Sequence, residues 1–138
     1  MKRIIAIDYG DARTGVAVSD LTGTLAGEAL TIQEWNAEKL AQRLAFFARE
    51  RDAEKFVLGL PKNMDGTEGP RAEKARQFKA LLEEASGLPV ILWDERRSTI
   101  EAHAILHAAG KKEKKNRANV DAVAATLLLE GYLASPNR

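Results

Sequence analysis

The run Ile4-Ile5-Ala6-Ile7 is apolar at four consecutive positions, which excludes a strand with one face in water. Neighbouring residues of a strand point to opposite sides of its sheet, so this strand has to be covered on both. Phe56-Val57-Leu58-Gly59 and Val90-Ile91-Leu92-Trp93 read the same way. A sheet covered on both faces needs flanking layers, and segments at helical spacing are present to supply them. The order read along the chain is β-β-β-α-β-α-β-α-α. This is an α/β domain with a mixed five-stranded sheet, three antiparallel strands followed by parallel ones, flanked by helices. The 138 residues fit a single domain spanning 1–138.

Turn residues divide the first third into three strands: Ile4 to Asp8, Gly15 to Ser19 and a weaker one around Thr24 to Ile32. Short connections of this kind join antiparallel neighbours. Asn36 is the expected N-cap of a helix burying Ala37, Leu40, Ala41, Leu44, Phe47 and Ala48. Pro70 suits the first turn of a second helix, with Ala75, Phe78, Leu82 and Ala85 facing the core and Gly87-Leu88-Pro89 ending it. Ser98-Thr99-Ile100-Glu101 has the form of a capping box, which predicts a third helix closed by Gly110. The last helix, about Asn119 to Leu133, is apolar nearly all round and must be packed on more than one side.

The absence of cysteine removes disulfides, thiolate zinc sites and thiol nucleophiles, and fits a reducing, cytoplasmic setting. Met1-Lys2-Arg3 precedes an apolar run too short for a signal peptide, and no stretch suits a bilayer. The net charge of +1 says little, but Lys111, Lys112, Lys114, Lys115 and Arg117 surround a single acid, Glu113. Taken alone, such a run is a solvated loop. This one leads directly into the helix that carries Asp121.

Asp8 ends the first apolar run, where an unpaired charge would cost several kcal/mol or more. Glu95 lies just past the strand ending at Trp93, and Asp121 sits near the start of the apolar last helix. Parallel strands would bring Asp8 and Glu95 to one edge of the sheet, where ligand sites gather in α/β folds. Asp121 shares a helix face with Ala125 and Leu128, so a helix laid across the sheet could deliver it there. Two carboxylates about 4 Å apart repel by roughly 4 kcal/mol at an effective dielectric near 20. Cations relieve that repulsion, and all-oxygen donors suit Mg²⁺ or Mn²⁺. A pair of such ions can activate water for phosphodiester displacement without Ser/His or Cys/His machinery.

Blander readings compete. Asp8 suits a turn acid, and Asp121 a first-turn acid favoured by the helix dipole. Asp94 competes with Glu95, because adjacent strand residues face opposite ways. His103 and His107 have the spacing of a zinc pair but no third ligand, and read as surface residues. The loop Gly59 to Gly66 can meet a phosphate through Lys62 without being a P-loop. Trp35 and Trp93 read as packing residues.

Four segments together carry a resemblance. They are Asp8-Tyr9-Gly10 with Arg13 to Asp20, Val57-Leu58-Gly59-Leu60-Pro61 with Asp65-Gly66, Asp94 to Thr99, and Val120-Asp121-Ala122-Val123-Ala124-Ala125. In this order they resemble the YqgF family, the Holliday-junction-resolvase-like bacterial proteins also described as pre-16S rRNA nucleases. The resemblance implies a ribonuclease-H-like fold and a metal-dependent nuclease, with Asp8, Glu95 and Asp121 as the catalytic, metal-binding acids. It thereby selects Glu95 over Asp94. It further implies that Asp8 bridges two Mg²⁺ or Mn²⁺ ions, and that Arg13, Arg96 and the 111–117 loop hold flanking phosphates without reading sequence.

The expected partner is nucleic acid, structured RNA ahead of branched DNA, with no membrane and a monomeric or homodimeric chain. Processing of the 5′ end of pre-16S rRNA is the expected role. The alternatives are resolution of four-way DNA junctions and a non-catalytic RNA- or ribosome-binding module. Asp8-Tyr9-Gly10 followed by Thr14-Gly15-Val16-Ala17 also resembles the phosphate-binding hairpin of sugar kinases and actin-like ATPases, but those proteins close two such domains around a nucleotide and 138 residues supply one.

Overall fold

The computed structural model describes residues 2–23, 25–94 and 117–135. Its elements are β1 (Arg3–Asp8), β2 (Arg13–Ser19), β3 (Ala26–Gln33), α1 (Ala37–Glu50), β4 (Ala53–Leu60), α2 (Pro70–Ser86), β5 (Val90–Asp94) and α3 (Arg117–Ala134). The strands form one sheet in the order β3-β2-β1-β4-β5. β1, β2 and β3 pair antiparallel, whereas β4 lies parallel to both β1 and β5. The expected mixed sheet is therefore present. The predicted helix from Ser98 to Gly110, with His103 and His107 on it, lies outside the described residues.

The consecutive apolar residues of β1 divide between two cores. Ile5 and Ile7 join Phe56, Leu58 and Leu44 on the face covered by α1 and α2. Ile4 and Ala6 join Ala17, Val57 and Leu128 on the face covered by α3. In β5, Leu92 belongs with the first cluster and Trp93 with the second. Alternation thus gives Asp94 the parity of Leu92, and its Cα partner Leu60 also belongs to the first cluster.

Helix α1 starts as its cap predicts: Asn36 Oδ1 accepts from the Lys39 backbone N–H at 2.9 Å. Its buried stripe is Leu40, Ala41, Leu44, Ala45 and Ala48. Phe47 is only half-buried and carries the Arg51 guanidinium over its ring at 3.5 Å. Pro70 opens α2 and Gly87 closes it, but Ala85 is exposed, against expectation, and Ala72 is buried instead. The stripe of α2 runs through Ala72, Ala75, Phe78 and Leu82, which a 3.6-residue turn keeps in line, whereas Ala85 borders an open cleft between α1 and α2 with Glu38 and Gln42. Trp35 corrects a second expectation: it is 82% exposed, because it lies in the connection past the end of β3 and not over the sheet.

Helix α3 crosses β1, β2 and β3. Ala125, Leu128, Leu129 and Tyr132 face the sheet, and Tyr132 meets Trp93 edge-on at 5.5 Å. Leu127, roughly opposite that stripe, is also buried, so the helix is covered on two sides as its sequence requires. Among the described residues no helix is long and apolar enough to cross a membrane.

Candidate nuclease site

Asp8 ends β1 with the parity of Ile4 and Ala6, so it belongs to the face that α3 covers. Its Cα partner across the antiparallel ladder is Gly15 of β2. A Cβ at residue 15 would stand 2.0 Å from the backbone oxygen of Asp121 and 3.3 Å from the Cβ of Ala125. Only a residue without a side chain admits α3 so close. Gly15 thus links the two acids: it is beside Asp8 within the sheet and beneath Asp121 of the helix.

The turn between β1 and β2 is held by its own residues. Thr14 is fully buried; its Oγ1 accepts from the Gly10 N–H at 3.3 Å and donates to the Gly10 carbonyl at 3.4 Å. A Cβ at Gly10 would fall 2.2 Å from the Arg13 carbonyl oxygen, so glycine is needed for the turn to close. That closure sets Arg13 at the start of β2, where its Nε lies 3.6 Å from Asp121 Oδ2. The two side chains are 32% and 24% exposed, so this ion pair is partly shielded from water. On the other flank Tyr9 stacks on Phe78 of α2, ring centroids 4.3 Å apart and nearly parallel. Burial of its ring edge is the main reason the Tyr9 hydroxyl has a raised pKa, with the Asp11 charge adding to it.

Lys62 follows the end of β4, beside β1, and pairs with Glu68 across a short bridge. The loop above it is bound to itself: Asp65 Oδ1 accepts from both the N–H and the hydroxyl of Thr67, at 2.9 and 2.6 Å. Arg76 anchors it from α2 with two bonds of 2.7 Å to Glu68, whose carboxyl these bonds hold below the usual range. Lys62 therefore lies just past the end of β4, on a loop closed by its own hydrogen bonds, at the same edge as Asp8.

The described residues accordingly bring together Asp8, Arg13 and Asp121, with Lys62 at the same sheet edge. Glu95, Arg96, Lys111, Lys112, Lys114 and Lys115 lie outside the described residues, and Arg117 opens α3. Among the described residues no three His, Asp or Glu side chains group as a metal site. Arg71 and Lys74 of α2 also border this edge and went unremarked in the sequence. Pro70 was the available signal, since fixing the first turn of α2 also fixes which residues sit at its mouth.

A mixed sheet of order β3-β2-β1-β4-β5 with helices on both faces is a ribonuclease-H-like fold. The solved structure of Thermus thermophilus RuvC in complex with a Holliday junction substrate superposes with a TM-score of 0.62 at 11% identity, covering 96% of this chain and 94% of that one. The chain belongs to the RuvX family, described as Holliday junction resolvase, whose model matches residues 2–135. It is 42% identical to the "Putative pre-16S rRNA nuclease" of Halothermothrix orenii, over 99% of this chain and 97% of that protein. It is 40% identical to the protein of the same name from Bacillus subtilis, over 98% and 99%. Family and relatives make it a phosphodiester-hydrolysing nuclease.

Proposed function

We propose that this chain is a metal-dependent nuclease that processes the 5′ end of pre-16S rRNA, with Asp8, Glu95 and Asp121 as its catalytic acids. The observation that supports this reading is Gly15, which is the Cα partner of Asp8 in the sheet and lies against the backbone of Asp121 on α3. The substrate class rests on relatives about 40% identical along their whole length and named for that RNA. Asp94 shares the parity of Leu92, on the face opposite Asp8, which favours Glu95 as the third acid.

The donor chemistry suits Mg²⁺ or Mn²⁺. Asp8 and Asp121 offer only oxygen, and the Arg13 guanidinium at 3.6 Å marks Asp121 as already attracting positive charge. Asp8, Glu95 and Asp121 would hold the ions, which supply water activation and charge neutralisation at the scissile phosphate. Arg13, Lys62, Arg96, Lys111, Lys112, Lys114, Lys115 and Arg117 hold the flanking phosphates. In Asp8→Asn, cleavage of a pre-16S 5′ fragment is lost while RNA binding and the melting temperature are retained. Wild-type cleavage by that variant would refute the assignment.

The family description favours a second reading, resolution of four-way DNA junctions. Incubation with matched junction DNA, structured RNA and single-stranded RNA in Mn²⁺ separates the two. Preferential, symmetric cutting of the junction would make it the activity.

A further inference from the structure

Arg13 and Asp121 lie on the β2 side of Asp8, on the face that α3 covers. In the sheet order, the ends of β1 and β4 lie on the other side of Asp8 from β2, along the line of a strand that crosses the sheet edge there. There Tyr9, Asp11, Gly59, Pro61, Arg71 and Lys74 surround a shallow crevice of only about 10 Å³, so that any strand would lie over its rim and not within it. Arg71 and Lys74 are three residues apart on α2, so they share one side of the helix. Arg71 is exposed, and among the described residues no carboxylate forms an ion pair with it. Lys74 donates to Asp11 Oδ1 at 3.2 Å, with the two side chains 57% and 60% exposed. An ion pair that exposed contributes little to stability. Its geometry shows instead where an anionic oxygen sits well against Lys74.

From this placement, and resting on the nuclease reading above, we propose that Arg71 and Lys74 form a second phosphate-binding surface. It takes the substrate backbone on the side of Asp8 away from Arg13, with Asp11 occupying the place of a phosphate oxygen when no strand is bound. The substrate then spans the sheet edge, gripped on both sides of the acids, and neither contact reads a base. The rigid backing of this surface is Tyr9 stacked on Phe78, one turn further along α2.

The probe is a labelled single-stranded RNA of uniform sequence, titrated in EDTA across a salt series so that binding is read without turnover. Each phosphate contact on a single strand contributes about 0.7 to the slope of log affinity against log salt. Arg71→Gln/Lys74→Gln should lower that slope by about 1.4 relative to the wild type. Arg49→Gln, at another exposed cation in the last turn of α1 near the opposite sheet edge, should leave it unchanged. Asp11→Asn, which releases Lys74, should move binding to higher salt. An unchanged slope in the double variant alongside wild-type binding overturns this surface alone. No RNA binding by the wild-type chain overturns the nuclease-on-RNA reading with it.

Discussion

Gly15 lies directly beneath the backbone carbonyl of Asp121, so close that a Cβ there would stand 2.0 Å from the oxygen. The contact decides how near α3 comes to β2, and with it how near Asp121 comes to Asp8, the Cα partner of Gly15. Gly15→Ala forces the first turn of α3 off the sheet. Overpacking of this kind costs about 1–3 kcal/mol. Chemical denaturation should show that loss, and cleavage should fall further than stability does, because the two acids separate. A variant with wild-type stability and wild-type turnover would contradict this account.

The proposed metal dependence has a readout that does not need a substrate. A ligand at 100 times its Kd stabilises a fold by about 2.7 kcal/mol. Saturating Mn²⁺ should therefore raise the melting temperature of the metal-stripped wild-type chain. Asp8→Asn and Asp121→Asn should each lose most of that rise, and EDTA should stop cleavage until Mg²⁺ or Mn²⁺ is restored.

Arg13 has two opposing effects at the site, and a single variant separates them. Its guanidinium lies 3.6 Å from Asp121 Oδ2, and under the proposed function it would compete there with a metal ion while contacting a flanking phosphate. Arg13→Gln should leave stability within about 1 kcal/mol of wild type, as for other partly exposed pairs. Mn²⁺ affinity should hold or rise, whereas RNA affinity should fall. A parallel fall in both would mean that Arg13 merely positions Asp121.

Glu28 of β3 provides the pH test. Two side-chain bonds from Arg51, at 2.8 and 2.9 Å, hold its carboxyl below the ordinary carboxylate range, against a smaller opposing effect of burial. A pKa depressed by folding stabilises the folded chain above the unfolded carboxyl pKa, and that contribution is lost as pH falls through the folded value. The stability gap between wild type and Glu28→Gln should be widest near neutrality and close in acid. Added salt should narrow it, since Glu28 is 48% exposed. A gap that persists in strong acid would assign the effect to packing of Arg51 on Phe47 instead.

Much of this molecule is legible in one dimension because short-range physics governs it. The doubly apolar run Ile4 to Ile7 required cover on both faces and received it from α1 and α2 on one side and α3 on the other. Asn36 and Pro70 marked helix starts that local hydrogen bonding and a fixed φ determine. Misplaced residues are those whose burial depends on how an element lies against its neighbours. Ala85 borders an open cleft between α1 and α2, and Trp35 falls, largely exposed, in a connection.

The sequence by itself determined the order of the described strands and helices, the two-faced sheet and the set of candidate acids, including the Asp8 that an apolar strand should not tolerate. Periodicity and residue chemistry are local properties, and they survive without coordinates. Which acids meet was a tertiary decision. Gly15 is one glycine among ten in the sequence, and only the crossing of α3 over β2 makes it the seat of Asp121. Asp94 was set against Asp8 by the sorting of Leu92 and Trp93 into different cores, which no spacing in the chain reveals. Close approach between distant segments depends on how whole elements pack, and that packing exists only in the folded chain.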